Sequence, residues 1–363
     1  MRILITNSTR NDIMKVEYYY ERTQRALDEN KMIAPISVEI DLTNTCHQKC
    51  YYCNVKQFRA ENPDMGTTDD YLKLISSLPK ETKDITFAGG GEPLDNHDAN
   101  IIMNHALKEG FKIGIITNGA RLRHLKFSKE YHPTWIGIDF DAGNADLYFK
   151  IRKASFPKTI SSVKEVIDDL QKFGTKLTFK YLINHYNNSI EQIKEAIWIA
   201  QEIRFDEFYV RVAHFKDNTE QVIPPDGEKS WWKLEHQIRE ECNSLGIDYI
   251  GAFAKQEDYV QDRGTGTVPV KQCFAPLFDP IFAANGEIYW CTERRGDKEY
   301  VIGNWLKDGI SPLYEENLVP KMKDFIKHWK CALSCRYFNY NNFTSKIDKG
   351  LKDKNSGHDV GFF

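Results

Sequence analysis

Seven of the eight cysteines fall into two groups: Cys46, Cys50 and Cys53, then Cys273, Cys291, Cys331 and Cys335, with Cys242 alone between them. In a reducing compartment, clustered thiols read as metal ligands before disulfides. The first group, from Cys46 to Cys53, has the spacing C-x3-C-x2-C. Three thiolates in so short a loop can reach three corners of a cubane iron–sulfur cluster, leaving the fourth iron open to bind and activate a ligand. A zinc knuckle is the alternative, but structural zinc wants four closed ligands, and His47 sits immediately beside Cys46, where its geometry is poor. The second group reads C-x12-G-x4-C around Gly286, followed by C-x3-C. Four thiolates could enclose an iron–sulfur cluster completely, or a structural zinc ion. A lone cysteine in a helical stretch, as at Cys242, is by default a small buried hydrophobe.

These residues need a frame to position them. Six short runs rich in β-branched and aromatic residues read as strands, each bounded by turn formers: ISVEIDLT (36–43), DITFAG (84–89), KIGIITNG (112–119), WIGIDFDA (135–142), KLTFKYLIN (176–184) and EFYVRVA (207–213). Ile160, Val163, Ile167 and Leu170 recur at helical spacing, as do Ile190, Ile193, Ile197 and Ala200, each set marking an apolar face that can cover a sheet. Such alternation implies an α/β fold with a parallel sheet and right-handed crossovers, either open or a partial barrel. Chemistry in such folds gathers at the carboxyl ends of the strands, and the first cysteine loop directly follows the first strand.

The pattern changes after a long helical stretch near 226–246. Residues 257–272 hold glycines and a proline without periodicity and read as a linker or substrate-facing loop. In IFAANGEIYW (281–290), Asn-Gly lies between two apolar runs, the signature of a hairpin closed by a type I′ turn in which both central residues take positive φ. A helix is expected near 314–330. The expected organisation is an extension (1–35), a barrel (36–256), a linker with a small cysteine-bearing α+β domain (257–340) and a polar tail (341–363) that contains His358.

A length of 363 residues fits two domains. Hydrophobic residues at 41%, charged residues at 28% and a mean hydropathy of −0.55 exclude a disordered chain. A net charge of −3 and a pI near 6.4 give no global basic footprint and argue against a nucleic-acid partner. No apolar run approaches the roughly 20 residues of a membrane span, and MRILITNSTR lacks a signal-peptide core, so a cytoplasmic protein without a membrane partner is expected.

The cysteine loop, with the aromatic Tyr52 before its last cysteine, resembles the signature of the radical S-adenosylmethionine (radical SAM) superfamily. The resemblance continues along the strands. Gly89-Gly90-Gly91-Glu92-Pro93 is similar to that family's GGE motif, and Ile116-Thr117-Asn118-Gly119 to its TNG turn. Ile138-Asp139-Phe140-Asp141-Ala142-Gly143 resembles its S-x-D-A-G segment, with Asp139 where serine is usual. The resemblance implies a partial (β/α)6 TIM-like barrel in which Cys46, Cys50 and Cys53 hold a 4Fe-4S cluster and S-adenosylmethionine (SAM) chelates the open iron. Gly90 and Gly91 would then let the backbone approach the methionyl group, Glu92 would pair with its ammonium, and Tyr52 would pack near the adenine. Asn118, Asp139 and Asp141 would add cofactor contacts, and Lys180 and Arg211, on the fifth and sixth strands, would meet the carboxylate or the ribose.

The second cysteine group resembles the twitch domain, the shorter relative of the SPASM domain, which implies one auxiliary 4Fe-4S cluster on Cys273, Cys291, Cys331 and Cys335 and two clusters in all. The implied enzyme cleaves SAM to a 5′-deoxyadenosyl radical that takes hydrogen from a C–H bond. An external electron donor such as flavodoxin or ferredoxin is expected. The expected substrate is a polar small molecule (a sugar, aminocyclitol or nucleotide-sugar) undergoing dehydrogenation or epimerisation. Cys242 is the candidate hydrogen-atom donor, as in epimerases of this superfamily. The alternative is a maturase that oxidises, epimerises or crosslinks a ribosomal peptide; such enzymes often add a leader-recognition domain, for which the residues before the first strand are too few. An alternative of another class is a non-enzymatic zinc or iron–sulfur protein.

Overall fold

The computed structural model describes residues 20–213, 215, 222–225, 231–251, 272–324, 337, 341 and 344. The linker through residue 271, Cys331, Cys335 and His358 lie outside the described residues. All six expected strands form: β1 (Ser37–Asp41), β2 (Asp84–Ala88), β3 (Lys112–Thr117), β4 (Trp135–Asp139), β5 (Lys176–Ile183) and β6 (Glu207–Val212). Each pairs parallel with the next. Parallel neighbours need long crossovers, and helices supply most of them. After α1 (residues 20–29), α2 (Lys56–Glu61) and α3 (Thr68–Ser77) follow β1, and α4 (Ala99–Lys108) follows β2. The helices α5 (Ala145–Arg152), α6 (Phe156–Lys164) and α7 (Ile167–Phe173) follow β4, α8 (Ile190–Ile203) follows β5 and α9 (Trp232–Leu245) follows β6.

Local chemistry sets the helix ends. Thr67 with Asp70 opens α3 and Ser189 with Gln192 opens α8, both as reciprocal capping boxes. The apolar face of α8 buries Ile193, Ile197 and Ala200 against the sheet. The stripe from Ile160 to Leu170 is divided between α6 and α7, because the Val166 N–H turns back to the Val163 carbonyl at 3.1 Å instead of continuing the helix. In the core, Phe140 stacks on Phe179 at 4.4 Å and Phe179 on Phe208 at 5.4 Å between ring centroids.

The sheet extends beyond the expected six strands on both sides. β7 (Asp248–Gly251) adds parallel to β6. On the other edge, β8 (Ile281–Phe282) pairs parallel with β1, and β9 (Glu287–Tyr289) and β10 (Val301–Asn304) continue antiparallel. Among the described residues the result is one ten-stranded sheet ordered β10-β9-β8-β1-β2-β3-β4-β5-β6-β7, a mixed α/β architecture with its two edges unjoined. The β8–β9 hairpin forms around Asn285-Gly286, but not with a type I′ turn. Gly286 takes φ +85° while Asn285 is not among the positive-φ residues. Ala283 N–H bonds to Glu287 O and Gly286 N–H to Ala283 O, both at 2.9 Å, which gives a three-residue loop with one left-handed glycine.

Glu39 and Asp41, two apart on β1, share a face and are 1% and 0% exposed. Arg295, which follows the short turn after β9 and is itself buried, reaches both. Its Nε lies 2.7 Å from Asp41 Oδ2 and its Nη2 2.9 Å from Asp41 Oδ1, and Nη2 also donates to the Glu39 carboxylate. Removing the cation would take from both buried carboxylates the ion pair that they share. Arg295→Met is therefore expected to cost about 3–5 kcal/mol of stability in urea titrations, the usual penalty for breaking a buried pair. Replacing the whole set, with Glu39→Gln and Asp41→Asn added, should recover most of that loss; equal losses in both proteins would show that the charges are not the cause.

Candidate functional site

The cysteine loop leaves β1 against the glycine triplet that ends β2. Gly91 N–H bonds to Thr43 O at 2.9 Å and Glu92 N–H to Thr45 O at 2.8 Å. A Cβ at Gly90 would fall onto Asn44 Oδ1, and one at Gly91 onto the carbonyls of Thr43 and Thr45. Gly89 takes φ +146°, a conformation open to glycine. A Cβ at Gly89 would also lie 3.3 Å from Asp41 Oδ1, so the carboxylate that holds Arg295 abuts the triplet.

Cys46, Cys50 and Cys53 are half-buried free thiols. Burial pushes Cys50 up to about 12, opposed by Arg152 and reinforced by Asp141, Cys53 and Cys46, so the three sulfurs lie within electrostatic reach of one another. Such thiols become ligands when a metal displaces their protons. His47 faces elsewhere: its Nδ1 lies 2.9 Å from Asp95 Oδ2, and Arg121 Nε pairs with the same carboxylate at 2.6 Å. Among the described residues no three His, Cys, Asp or Glu side chains close on a single ion. A cubane differs in spreading its ligands over separate irons.

Glu92, at the end of β2, is buried and accepts from Leu94 N–H and the Thr117 hydroxyl on Oε1, and from Asn118 N–H on Oε2 at 2.7 Å. Burial raises its pKa to about 7. With about four acceptor positions on a carboxylate, Oε2 retains one. Four further polar groups at strand ends keep a buried atom without a hydrogen-bond partner: Asn44 Oδ1 after β1, Asn118 Nδ2 after β3, Asp139 Oδ1 at the end of β4 and Arg211 Nε on β6. Asp139 Oδ1 has the Lys180 ammonium near it, at 3.4 Å. Lys180 also lies 5.8 Å from the Tyr209 ring centre. Donors and acceptors are thus both left unanswered at one end of the sheet.

Asp141 and Tyr52 are placed differently from the expected cofactor contacts. Asp141 is 0% exposed at φ +60° and bound on every side: Arg152 pairs with Oδ2 at 2.6 Å, the Tyr52 hydroxyl donates to Oδ2, and Leu182 N–H reaches Oδ1 at 2.7 Å. It joins the cysteine loop to α5 and β5. Cys242 is sealed beside Leu234 and Ile238 on the buried face of α9, where burial pushes its thiol up to about 12; that position is a packing position and lends no support to a hydrogen-atom donor.

Of the second cysteine group, Cys273 and Cys291 are described. The Cys273 sulfur accepts from Trp290 Nε1 at 3.2 Å and Asn341 Nδ2 at 3.8 Å, a setting suited to a thiolate. The two cysteine groups are tethered: Asn54 Nδ2 lies 3.2 Å from Glu293 Oε2, and Gly296 packs on the Phe58 ring. Sequence reasoning missed Asn44, Arg152 and Arg295. Arg152 alone left a local signal, since it lies one helical turn from Tyr148 on a face whose other members are apolar.

Residues 40–197, from β1 into α8, match the Radical SAM superfamily. The chain is 29% identical over 313 residues, 81% of its own length and 62% of the other's, to the antilisterial bacteriocin subtilosin biosynthesis protein AlbA of Bacillus subtilis (strain 168). It is 26% identical over 207 residues, 52% of its length and 61% of the other's, to an S-adenosylmethionine-dependent nucleotide dehydratase of Fibrobacter sp. (strain UWH6). It therefore spans about three fifths of each of these relatives. Its fold is that of Streptococcus suis SuiB bound to S-adenosylmethionine, with a TM-score of 0.59 at 13% identity over 90% of this chain and 73% of that one. The cysteine loop, the glycine triplet and the strand ends that carry them all fall within the matched region, and residues 40–197 of this chain are a radical SAM superfamily domain.

Proposed function

We propose that the chain is a radical SAM enzyme in which Cys46, Cys50 and Cys53 hold a 4Fe-4S cluster and the strand ends beside them hold SAM. The observation that carries this reading is the set of unanswered polar atoms around the cysteine loop. SAM presents an ammonium, a carboxylate and ribose hydroxyls, so its site must offer both acceptors and donors. Asn44 Oδ1 and the remaining position on Glu92 Oε2 suit the ammonium, Arg211 the carboxylate, and Asp139 the ribose hydroxyls, with the Asn118 amide as a further donor. The close approach of Gly90 and Gly91 to Thr43, Asn44 and Thr45 lets the triplet lie directly on the segment that leads into the cysteine loop. When bound, the cluster and SAM supply one-electron cleavage to a 5′-deoxyadenosyl radical able to take hydrogen from an unactivated C–H bond. The chain's own part is to orient the groups and exclude water.

Cys273 and Cys291, with Cys331 and Cys335, would hold the auxiliary cluster, supported by the two N–H donors aimed at the Cys273 sulfur. For the substrate we favour a ribosomal peptide of the bacteriocin kind. The match to the bacteriocin biosynthesis protein covers 81% of the chain, long enough that it must include Cys273 and Cys291. A nucleotide-linked small molecule is the second reading, favoured by the 26% identity to the nucleotide dehydratase.

Anaerobic reconstitution should load about eight irons per chain, falling by about four when Cys46, Cys50 and Cys53 become serine and by about four when Cys273 and Cys291 do. The first set should also abolish 5′-deoxyadenosine formation with SAM and reductant; survival of that product would overturn the site. Gly91→Ala, whose methyl would press on the Thr43 and Thr45 carbonyls that lead into Cys46, should lower iron loading at the first group while the iron of the second group is retained. Deuterium carried into 5′-deoxyadenosine from a carbon-deuterated peptide supports the peptide reading. Transfer only from a deuterated nucleotide-sugar supports the other.

A further inference from the structure

One charged group beside the cysteine loop has no part in holding SAM. Arg152 ends α5 and is 3% exposed. Two of its nitrogens face Asp141: Nε at 3.0 Å and Nη2 at 2.6 Å from Oδ2. The third, Nη1, faces the other way, 3.1 Å from Gln48 Oε1 and 3.8 Å from Cys50 Sγ. Gln48 is fixed in turn, donating to the Tyr148 hydroxyl at 3.1 Å.

The backbone makes the same connection. The carbonyls of Ile151 and Arg152, at a helix end where carbonyls ordinarily go unpaired, accept the N–H groups of Tyr51 at 3.2 Å and Lys49 at 3.0 Å. The residues on both sides of Cys50 are thus tied to the last turn of α5, and the sulfur between them receives a guanidinium N–H. Tyr52 donates to the same Asp141 oxygen from within the loop, so the ion pair is held from both ends.

We infer that Arg152 is a positioning residue that raises the reduction potential of the cluster on Cys46, Cys50 and Cys53, an inference that rests on those thiols being cluster ligands. Hydrogen bonds to ligand sulfur and nearby positive charge favour the more negative, reduced form of an iron–sulfur cluster. Asp141 balances the overall charge of the pair, but the guanidinium is the member that faces the sulfur. The Arg152 fork therefore serves two ends at once, with Asp141 orienting it and Cys50 receiving the N–H that remains.

The test uses the full chain, reconstituted anaerobically without SAM, with iron and sulfide counts and an EPR-monitored redox titration. In Arg152→Met combined with Asp141→Asn, which leaves no buried charge unpaired, the first cluster should load and its midpoint should become more negative. The reduced fraction at fixed poise near the midpoint should fall by about tenfold in ratio, which is 59 mV for a one-electron couple. Arg152→Lys should fall between this variant and the parent. A loaded cluster with an unchanged midpoint in the double variant overturns the inference. If the variants do not load, the parent protein decides the matter: with 15N-labelled arginine, pulsed EPR of the reduced cluster should show a nitrogen coupling that persists in Arg59→Lys, which removes the guanidinium of α2 that acts on Cys46, and its absence overturns the inference. Failure of the parent to load any iron at the first group would instead overturn the cluster reading itself.

Discussion

A carboxylate buried without a partner is among the costliest groups a fold can contain, and β1 carries two on one face. The pairing of Glu39 and Asp41 with Arg295 resolves this and fixes much else. Because Arg295 follows β9, the pairing draws the β8–β9 hairpin onto the edge of β1. Because Asp41 also packs against Gly89, the glycine triplet lies on the same carboxylate. The cysteine loop then follows, since Thr43 and Thr45 bond to the triplet. Hairpin, first strand, glycine triplet and thiol loop are therefore positioned by one buried charge arrangement.

A second such arrangement sits on the far side of the loop. Asp141, Arg152 and Tyr52 tie it to α5 and β5, so the thiols are held between two polar networks that share no residue. This division leaves the strand ends between them for chemistry. Asn44, Asn118, Asp139 and Arg211 keep buried polar atoms without hydrogen-bond partners there, whereas the charged groups of both networks are answered within the chain. Strain is tolerated in the same region: Asp141 adopts a left-handed backbone that few side chains accept, stabilised by contacts on both carboxylate oxygens.

The features legible in the sequence were local. Six strands, the apolar stripe of α8, the cysteine spacing and the glycine triplet each declare themselves within about ten residues. β7 escaped because Tyr249 and Ile250 are its only apolar residues, too few to establish a period. The turn type at Asn285-Gly286 was misjudged because a three-residue loop uses the same pair of residues as a two-residue one. Arg295 in Glu293-Arg294-Arg295 reads as surface charge, and its partners lie 254 and 256 positions away. Arg152 sits where a cation at a helix end is ordinary, and only its place on the apolar face, one turn from Tyr148, marks it out. Asp141 belongs to the motif that suggested a cofactor contact, yet the motif could not reveal that its oxygens are already occupied by this chain.

The place of β8 also bears on how the chain is made. β1 emerges early, and Ser37 and Asp279, which meet beside it, are 242 positions apart. At roughly 5–20 residues per second, the edge of β1 waits on the order of tens of seconds during synthesis for its neighbour to be made. An unpaired apolar strand edge invites another chain, and inward-pointing charges are one way to discourage that. Glu39 and Asp41 supply such charges. Until Arg295 arrives they guard the edge that they later help to close.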